Sequence, residues 1–384
     1  MNREARDQRF LQQALRLAAR ARGCTSPNPM VGALLVRGGR ILGRGWHHRA
    51  GQPHAEIEAL RDAARRGHSA RGATLYVTLE PCSTHGRTPP CTDAILQAGL
   101  RRVVVAATDP NPAHAGRGFQ LLKQAGLKVS SGLLATEASR LNEAFNHWIL
   151  HRTPFVTVKA AMTLDGKIAT ARGESKWITG KAARAEGMRL RAASDAILVG
   201  VNTVLADDPS LTVRHAGGSP ADPENRLRRI ILDSRARTPL TARVLSDANA
   251  ALTTVVVGPK APAARVAALA RRARVWRAPA RTGTGRSQLR WILKRLGAEG
   301  VTSLLVEGGG EVNGSFLLGG FAQRVVFFYA PLILGGRDSR KAVAGEGARS
   351  LPEAPRLLEV AWRRIGPDLM MSALVSPTPG RPRR

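Results

Sequence analysis

Gly51-Gln52-Pro53-His54-Ala55-Glu56, taken with Glu80-Pro81-Cys82 and Pro89-Pro90-Cys91, decides how this chain is read. One imidazole, two thiols and a carboxylate two places after the imidazole are the parts needed to hold zinc with one tetrahedral position open. Water in that position is acidified toward a pKa of about 7, and Glu56 is the group placed to carry its proton. The breaker Gly51-Gln52-Pro53 makes His54 the start of a helix predicted over 55–66, with Glu56 in its first turn and facing the same cavity. Cys82 follows a strand predicted over 73–79 and the stop at Pro81, and Cys91 starts a second helix after two prolines. Helix N-termini aimed at the metal favour thiolate over thiol. The bland alternative is a structural metal site, or a core histidine with two buried thiols. It leaves the orderly spacing of three ligands and a carboxylate unexplained.

Outward from this centre, Phe10, Leu11, Ala14, Leu15, Leu17 and Ala18 form one apolar stripe, predicting a helix over 3–22. Strands are predicted at 31–36 and 41–46, joined through Gly38-Gly39. Downstream come helix 91–98, strand 102–107, helix 117–125, strand 127–130 and helix 135–150. Such alternation indicates a parallel-rich sheet covered by helices. His47, His48, His68 and His114 fall in loops or at element ends and are given no metal role.

His-x-Glu followed by Pro-Cys-x-x-Cys is the signature of zinc-dependent nucleobase deaminases, but here the two cysteines are nine apart. Glu80-Pro81-Cys82-Ser83-Thr84-His85-Gly86-Arg87-Thr88-Pro89-Pro90-Cys91 resembles the deaminase half of the bifunctional riboflavin-biosynthesis deaminase-reductase family. Pro27-Asn28-Pro29, the 51–56 segment and Asp109-Pro110-Asn111-Pro112 carry the same resemblance. It implies a cytidine-deaminase-like three-layer α/β/α domain with one zinc ion held by His54, Cys82 and Cys91, and Glu56 as acid and base. It also implies substrate contacts from Asn28 and His85.

A chain of 384 residues favours two domains. The boundary is predicted near His151-Arg152-Thr153-Pro154, giving domains 1–150 and 151–375 and a basic, disordered tail at 376–384. In the second half, strands are predicted at 155–160, 195–200, 229–232, 253–257, 302–306 and 323–330, with a turn at 162–167, a helix over 180–193 and a loop over 214–225. Leu304-Leu305-Val306-Glu307-Gly308-Gly309-Gly310 runs a buried strand through three glycines into a helix, a phosphate-cradling arrangement that is weak by itself.

Lys159 to Gly166, Gly173 to Thr179, Leu190-Arg191-Ala192, Gly200 to Pro209, Leu211 to Arg214, Asp233-Ser234 and Val306 to Gly309 extend the resemblance to the reductase half of the same family. Only 215–226, 278–287 and the tail are unmatched. The resemblance implies a dihydrofolate-reductase-like α/β domain that uses NADPH. The cofactor would be lined by Ala161, Trp177, Thr203, Asp207, Leu211, Ser234 and the turn Gly309-Gly310-Glu311-Val312-Asn313-Gly314-Ser315. Ser175, Arg191, Arg214 and Glu307 would hold a phosphorylated pyrimidine, the two arginines on its phosphate, and Lys159 is the candidate proton donor to the sugar oxygen.

The formal charge is +31, from 59 Lys and Arg against 28 Asp and Glu. That balance raises nucleic-acid binding, and a tRNA or DNA base deaminase with a basic accessory domain is the rival reading. The excess is nearly all arginine, scattered among Ala, Gly and Pro, as a compositional bias would scatter it. No nucleic-acid or membrane partner is therefore expected; a homo-oligomer is compatible with the sequence. Three cysteines exclude a disulfide framework. Cys24 is left over, as a packing residue or a nucleophile. The mixed-charge N-terminus does not resemble a secretory signal, so a cytoplasmic location is expected.

Overall fold

Glycines on two adjacent strands let two helices bracket the first sheet. The computed structural model describes residues 2–85, 89–214, 227–280 and 285–376. Its contacts divide into two compact units, Met1–Arg152 and Thr153–Arg384, each described by itself.

In the first unit the helix α1 (Arg3–Ala18) continues into a single 3-10 turn at Ala19–Ala21. The five-stranded sheet runs β2-β1-β3-β4-β5, from β1 (Gly32–Arg37), β2 (Arg40–Trp46), β3 (Thr74–Leu79), β4 (Arg102–Ala107) and β5 (Lys128–Ser131). β1 is antiparallel to both β2 and β3, while β3, β4 and β5 are parallel, so the sheet is mixed. A Cβ on Gly32 would lie 2.0 Å from Ala14 O of α1. Cβ atoms on Gly43 and Gly45 would lie 2.2 Å from Ala59 O and Ala55 O of α2 (Ala55–Arg65). Gly32 is paired with Trp46, and Gly45 with Ala33. Directly opposed residues share a face and successive ones alternate, so α1 and α2 lie on opposite faces, making three layers. α3 (Cys91–Gln97) and α4 (Arg117–Gln124) complete the parallel connections.

The helix predicted over 135–150 is two: α5 (Ala135–Leu141) and α6 (Glu143–His151). Asn142 between them is buried, and its amide accepts from Met30 N at 2.8 Å and donates to Met30 O at 2.9 Å. Bonding that half-buried peptide takes Asn142 out of helical geometry, with φ −106° and ψ 23°.

The second unit is built on a nine-stranded sheet. β6 (Phe155–Thr163) carries the predicted strand three residues further, and the turn is confined to Leu164-Asp165-Gly166, where the Asp165 carboxylate accepts from Leu334 N and Gly335 N. Next along the chain come β7 (Lys167–Ala169), α7 (Lys181–Ala192), β8 (Ala196–Gly200), α8 (Val201–Asp207), β9 (Arg228–Leu232), α9 (Arg243–Ser246), β10 (Thr253–Val257), α10 (Ala263–Ala270) and β11 (Arg274–Arg277). α11 (Gly285–Ala298), β12 (Ser303–Val306), α12 (Gly309–Leu318), β13 (Arg324–Ala330), β14 (Arg340–Lys341), β15 (Leu357–Ile365) and β16 (Asp368–Val375) follow.

The order is β11-β10-β9-β8-β12-β6-β13-β16-β15, parallel through β13 and closed by the antiparallel β16-β15 hairpin. Inner strands such as β8 and β10 are buried at every residue, as parallel strands covered on both faces must be. β7 and β14 form a separate two-stranded ribbon. β7, β11, β14, β15 and β16 were not predicted. Of the predicted loop 214–225 only Arg214 is described, and of the predicted tail only Ser376.

Candidate functional site

In the first unit, His54 is the residue just before α2, held extended at φ −74° and ψ 165°, and Cys91 is the first residue of α3. Cys82 lies in the loop after β3, and its sulfur accepts the Cys91 N–H at 3.3 Å. His54 Nδ1 lies 3.3 Å from Cys91 Sγ and 3.5 Å from Cys82 Sγ, and all three ligand atoms fall within 4.8 Å of one another. Zinc–sulfur and zinc–nitrogen bonds in a tetrahedron give sulfur–nitrogen edges of about 3.6 Å. One imidazole nitrogen and two sulfurs at these separations therefore fit zinc in both donor chemistry and spacing.

The protein's own charges already favour a cation. The Cys91 thiol donates to Cys82 and, with His54, brings the Cys82 thiol down to about 4. That same hydrogen bond, joined by burial, pushes Cys91 up. The contact with Cys82 raises His54, against burial. Glu56 is 3% exposed; burial and then the Cys82 charge raise its carboxyl to about 7.

A second histidine joins the wall. The buried His47 places Nδ1 3.1 Å from Pro53 O and Nε2 3.1 Å from Asn28 Nδ2, and its ring meets His54 edge-on at 5.2 Å. A carbonyl only accepts, so Nδ1 carries the proton and Nε2 accepts from Asn28. Burial lowers the His47 pKa, which keeps it in this neutral form. Sequence reasoning gave His47 no role; its signal was its place directly after β2, seven residues before His54. Glu80 is also buried, and its carboxylate accepts from Asp109 N, Gly116 N and Gly118 N, tying the 109–118 loop to the strand end that presents Cys82. His85 is exposed, and Gly86, Arg87 and Thr88 after it lie outside the described residues.

In the second unit a cavity of about 700 Å³ opens at the carboxyl ends of β8 and β12. It brings together Lys159, Ala161, Ser175, Trp177, Arg191, Thr203, Asp207, Leu211, Glu307 and the turn Gly309 to Asn313. Arg191 Nε and Nη2 reach Glu307 at 3.0 and 2.9 Å, Lys159 Nζ lies 3.7 Å from the same carboxylate, and Arg191 Nη1 donates to Thr212 O. Burial would raise the Glu307 carboxyl, but Arg191 and then Lys159 outweigh it and hold it at about 2.

Four of the residues the resemblance assigned to this site do not line the cavity. Ser234 backs onto Gly258, and Gly314 abuts Ala344 O, where a Cβ would be 1.9 Å away. The Ser315 hydroxyl donates to Glu311 O, and Arg214 borders residues outside the description. Arg191 lines it, with Nε and Nη2 engaged by Glu307.

The cluster in the first unit and the comparisons define the class: a deaminase unit of the zinc-binding kind followed in one chain by a reductase unit. Residues 4–107 match the family described as the cytidine and deoxycytidylate deaminase zinc-binding region, and residues 154–371 match the RibD C-terminal domain. The riboflavin biosynthesis protein RibD of Aquifex aeolicus is 42% identical over 365 residues, covering 95% of this chain and 97% of that one. Among solved structures, Acinetobacter baumannii RibD is 36% identical with a TM-score of 0.83, covering 97% of this chain and 99% of the other. A diaminohydroxyphosphoribosylaminopyrimidine deaminase/5-amino-6-(5-phosphoribosylamino)uracil reductase from Thermotoga maritima is 33% identical, with a TM-score of 0.82 and coverage of 98% and 100%. The chain belongs to the RibD family of riboflavin biosynthesis and is a bifunctional deaminase and reductase.

Proposed function

We propose that residues 1–150 hydrolytically deaminate 2,5-diamino-6-(5-phosphoribosylamino)pyrimidin-4(3H)-one, and that residues 151–375 reduce the product's ribosyl chain to ribityl with NADPH. Zinc held by His54, Cys82 and Cys91 supplies an acidified water for the first step, and NADPH supplies hydride for the second. Glu56 takes a proton from the attacking water and gives it to the ring nitrogen beside C2 as the oxygen bonds to C2; it then takes the remaining hydroxyl proton and gives it to the amine as the C2–N bond breaks, so ammonia leaves and a C2 carbonyl remains. The observation that carries this reading is geometric: His54, Cys82 and Cys91 bring their ligand atoms within 4.8 Å of one another, and the carboxylate two residues after His54 is buried in the same place. Asn28, oriented through His47, is placed to hold the pyrimidine. In the second unit Lys159 offers its ammonium to the sugar oxygen as C1′ accepts hydride, and Glu307 with Arg191 fixes that ammonium in position.

A phosphorylated substrate and a soluble nicotinamide cofactor are cytoplasmic pools, which is where this reading puts the enzyme; among the described residues no helix is long and apolar enough to cross a membrane. Glu56→Gln tests the assignment. Ammonia release should stop while NADPH oxidation on the deaminated intermediate continues; retained deamination removes Glu56 from the mechanism.

A further inference from the structure

One arginine of the second unit reaches neither solvent nor the cavity. Arg229, the second residue of β9, is fully buried. All five N–H donors of its guanidinium are used. Nε donates to Thr253 Oγ1 at 2.9 Å, Nη1 to Asp247 Oδ2 at 2.6 Å and to Ser210 O at 2.8 Å, and Nη2 to Asp247 Oδ1 and Val244 O, each at 2.9 Å. A buried ion pair is a poor source of stability, because apolar side chains of similar volume fill the same space without the cost of desolvating charge. The reason for an arginine here lies in what it holds.

The bond to Ser210 is the one that leads to the cavity. Asp207, Pro209 and Leu211 line it, whereas Arg229 and Asp247 do not. No regular element runs through residues 208–213. Asp208 and Leu211 are both left-handed, with φ 39° and 52°, a conformation that residues bearing a Cβ keep only where their surroundings hold them. Side chains do the holding. The Asp208 carboxylate accepts from Arg243 N at 2.8 Å, Arg229 donates to the Ser210 carbonyl, and Arg191 donates to the Thr212 carbonyl at 3.3 Å. Two arginines, each neutralised by its own carboxylate, therefore grip carbonyls two residues apart on one strip of wall: Arg229 with Asp247 from outside the cavity, Arg191 with Glu307 from its lining.

We propose that Arg229 is a positioning residue for the reduction: through Ser210 it fixes the 208–213 wall, and through Thr212 that wall sets where Arg191, and with it Glu307 and Lys159, stand. The inference rests on reading this cavity as the reduction site. Arg229 touches neither substrate nor cofactor, so its effect passes entirely through the wall. A wall fixed before any ligand arrives does not have to be ordered on binding. Small displacements of a proton donor from the reacting atoms fall on the chemical step.

Three variants of the full-length protein separate holding from stabilising, each measured for thermal midpoint, ammonia release and the kinetics of NADPH oxidation on the deaminated product. Arg229→Met removes the tether and leaves Asp247 unpaired. The double variant Arg229→Met/Asp247→Leu removes both charges, and Val244 O keeps the Thr253 hydroxyl at 2.7 Å, but Ser210 O still loses its donor. Asp247→Asn does the reverse, weakening the ion pair while Arg229 stays on Ser210 O. The expected result is that kcat for NADPH oxidation falls about tenfold or more in Arg229→Met and in the double variant, with KM changed less, while Asp247→Asn stays within about twofold despite a lowered midpoint. Ammonia release, made in the other unit, stays at the wild-type rate in all three. Reduction that recovers with the midpoint in the double variant, or that falls in step with the midpoint in Asp247→Asn, overturns the proposal by making Arg229 purely structural. Glu307→Gln keeps the two readings apart. If it leaves NADPH oxidation unchanged, the cavity's assignment falls and this inference with it; a slow Glu307→Gln beside a double variant that reduces at the wild-type rate removes this inference alone.

Discussion

The Arg191 guanidinium and the Glu307 carboxylate meet fork to fork across 116 residues of sequence, with Nε 3.0 Å from Oε1 and Nη2 2.9 Å from Oε2. The pair joins α7 to the carboxyl end of β12 and leaves Lys159 bridged to the same carboxylate at 3.7 Å. Removing the carboxylate leaves two cations in a buried place, a loss of about 3–5 kcal/mol. The Glu307 carboxyl sits at about 2 in the fold against an ordinary 4.5. The unfolded chain therefore binds the extra proton between those values, and the contribution, about 3 kcal/mol, is complete above about pH 4.5 and lost as pH falls toward 2. Glu307→Gln should lower the thermal midpoint of the second unit at pH 7 and flatten its decline between pH 4.5 and 3. A decline as steep as that of wild type would show that the pair contributes nothing to acid lability.

Gly45 ties the first fold to its chemistry. A Cβ there would lie 2.2 Å from Ala55 O and 2.3 Å from Ala59 N, so Gly45→Ala must push α2 off β2. His54 and Glu56 stand at the displaced end. We expect a stability loss of about 1–3 kcal/mol from overpacking and at least about a tenfold fall in ammonia release, since ångström shifts at a reacting centre are costly. Zinc content and ammonia assays check it; full activity with full zinc would mean that α2 is not located by this contact.

His47 connects Asn28 to Pro53 and is not itself one of the three ligands. His47→Phe keeps a flat ring and deletes both hydrogen bonds, freeing the Asn28 amide to turn. The expected outcome is retained zinc with kcat/KM for deamination reduced about 10- to 100-fold, the loss falling mostly on KM. Loss of zinc in this variant would instead assign His47 to holding His54.

Asn142 predicts a purely structural effect. Asn142→Ala removes the partner of the half-buried Met30 N–H and C=O, costing about 1–2 kcal/mol, and should let α5 and α6 merge. Denaturant unfolding measures the first, and a gain in helical circular dichroism the second. An unchanged midpoint would mean that solvent replaces the amide.

The clustering of His54, Cys82 and Cys91 was legible because an imidazole, two thiols and a carboxylate arrive in order, and because helix-breaking prolines and a glycine mark where His54 and Cys91 begin their helices. His47 was not, since one histidine after a strand is ordinarily core, and only the fold shows its two ring nitrogens bonded to Pro53 and Asn28. The parallel strands of the second unit read clearly from their continuous apolar runs. β15 and β16 did not: Leu357 to Ile365 mixes apolar and charged residues without alternation, because β15 is an exposed edge strand with no single face to bury. The Arg191–Glu307 pairing and the bonds of Arg229 depend on contacts between distant segments, which local pattern cannot report. The assignment of Arg191 to the phosphate came from the resemblance; its pairing with Glu307 is supplied only by the folded sheet.

The account stands on one zinc ion per chain at His54, Cys82 and Cys91 serving deamination alone. Metal analysis of purified protein and of Cys91→Ser, each assayed for ammonia release on the diaminopyrimidinone phosphate and for NADPH oxidation on its deaminated product, tests this most directly. The predicted result is about one zinc per wild-type chain, with metal and ammonia release lost together in the variant while NADPH oxidation persists. Wild-type protein that releases ammonia while free of zinc would contradict it.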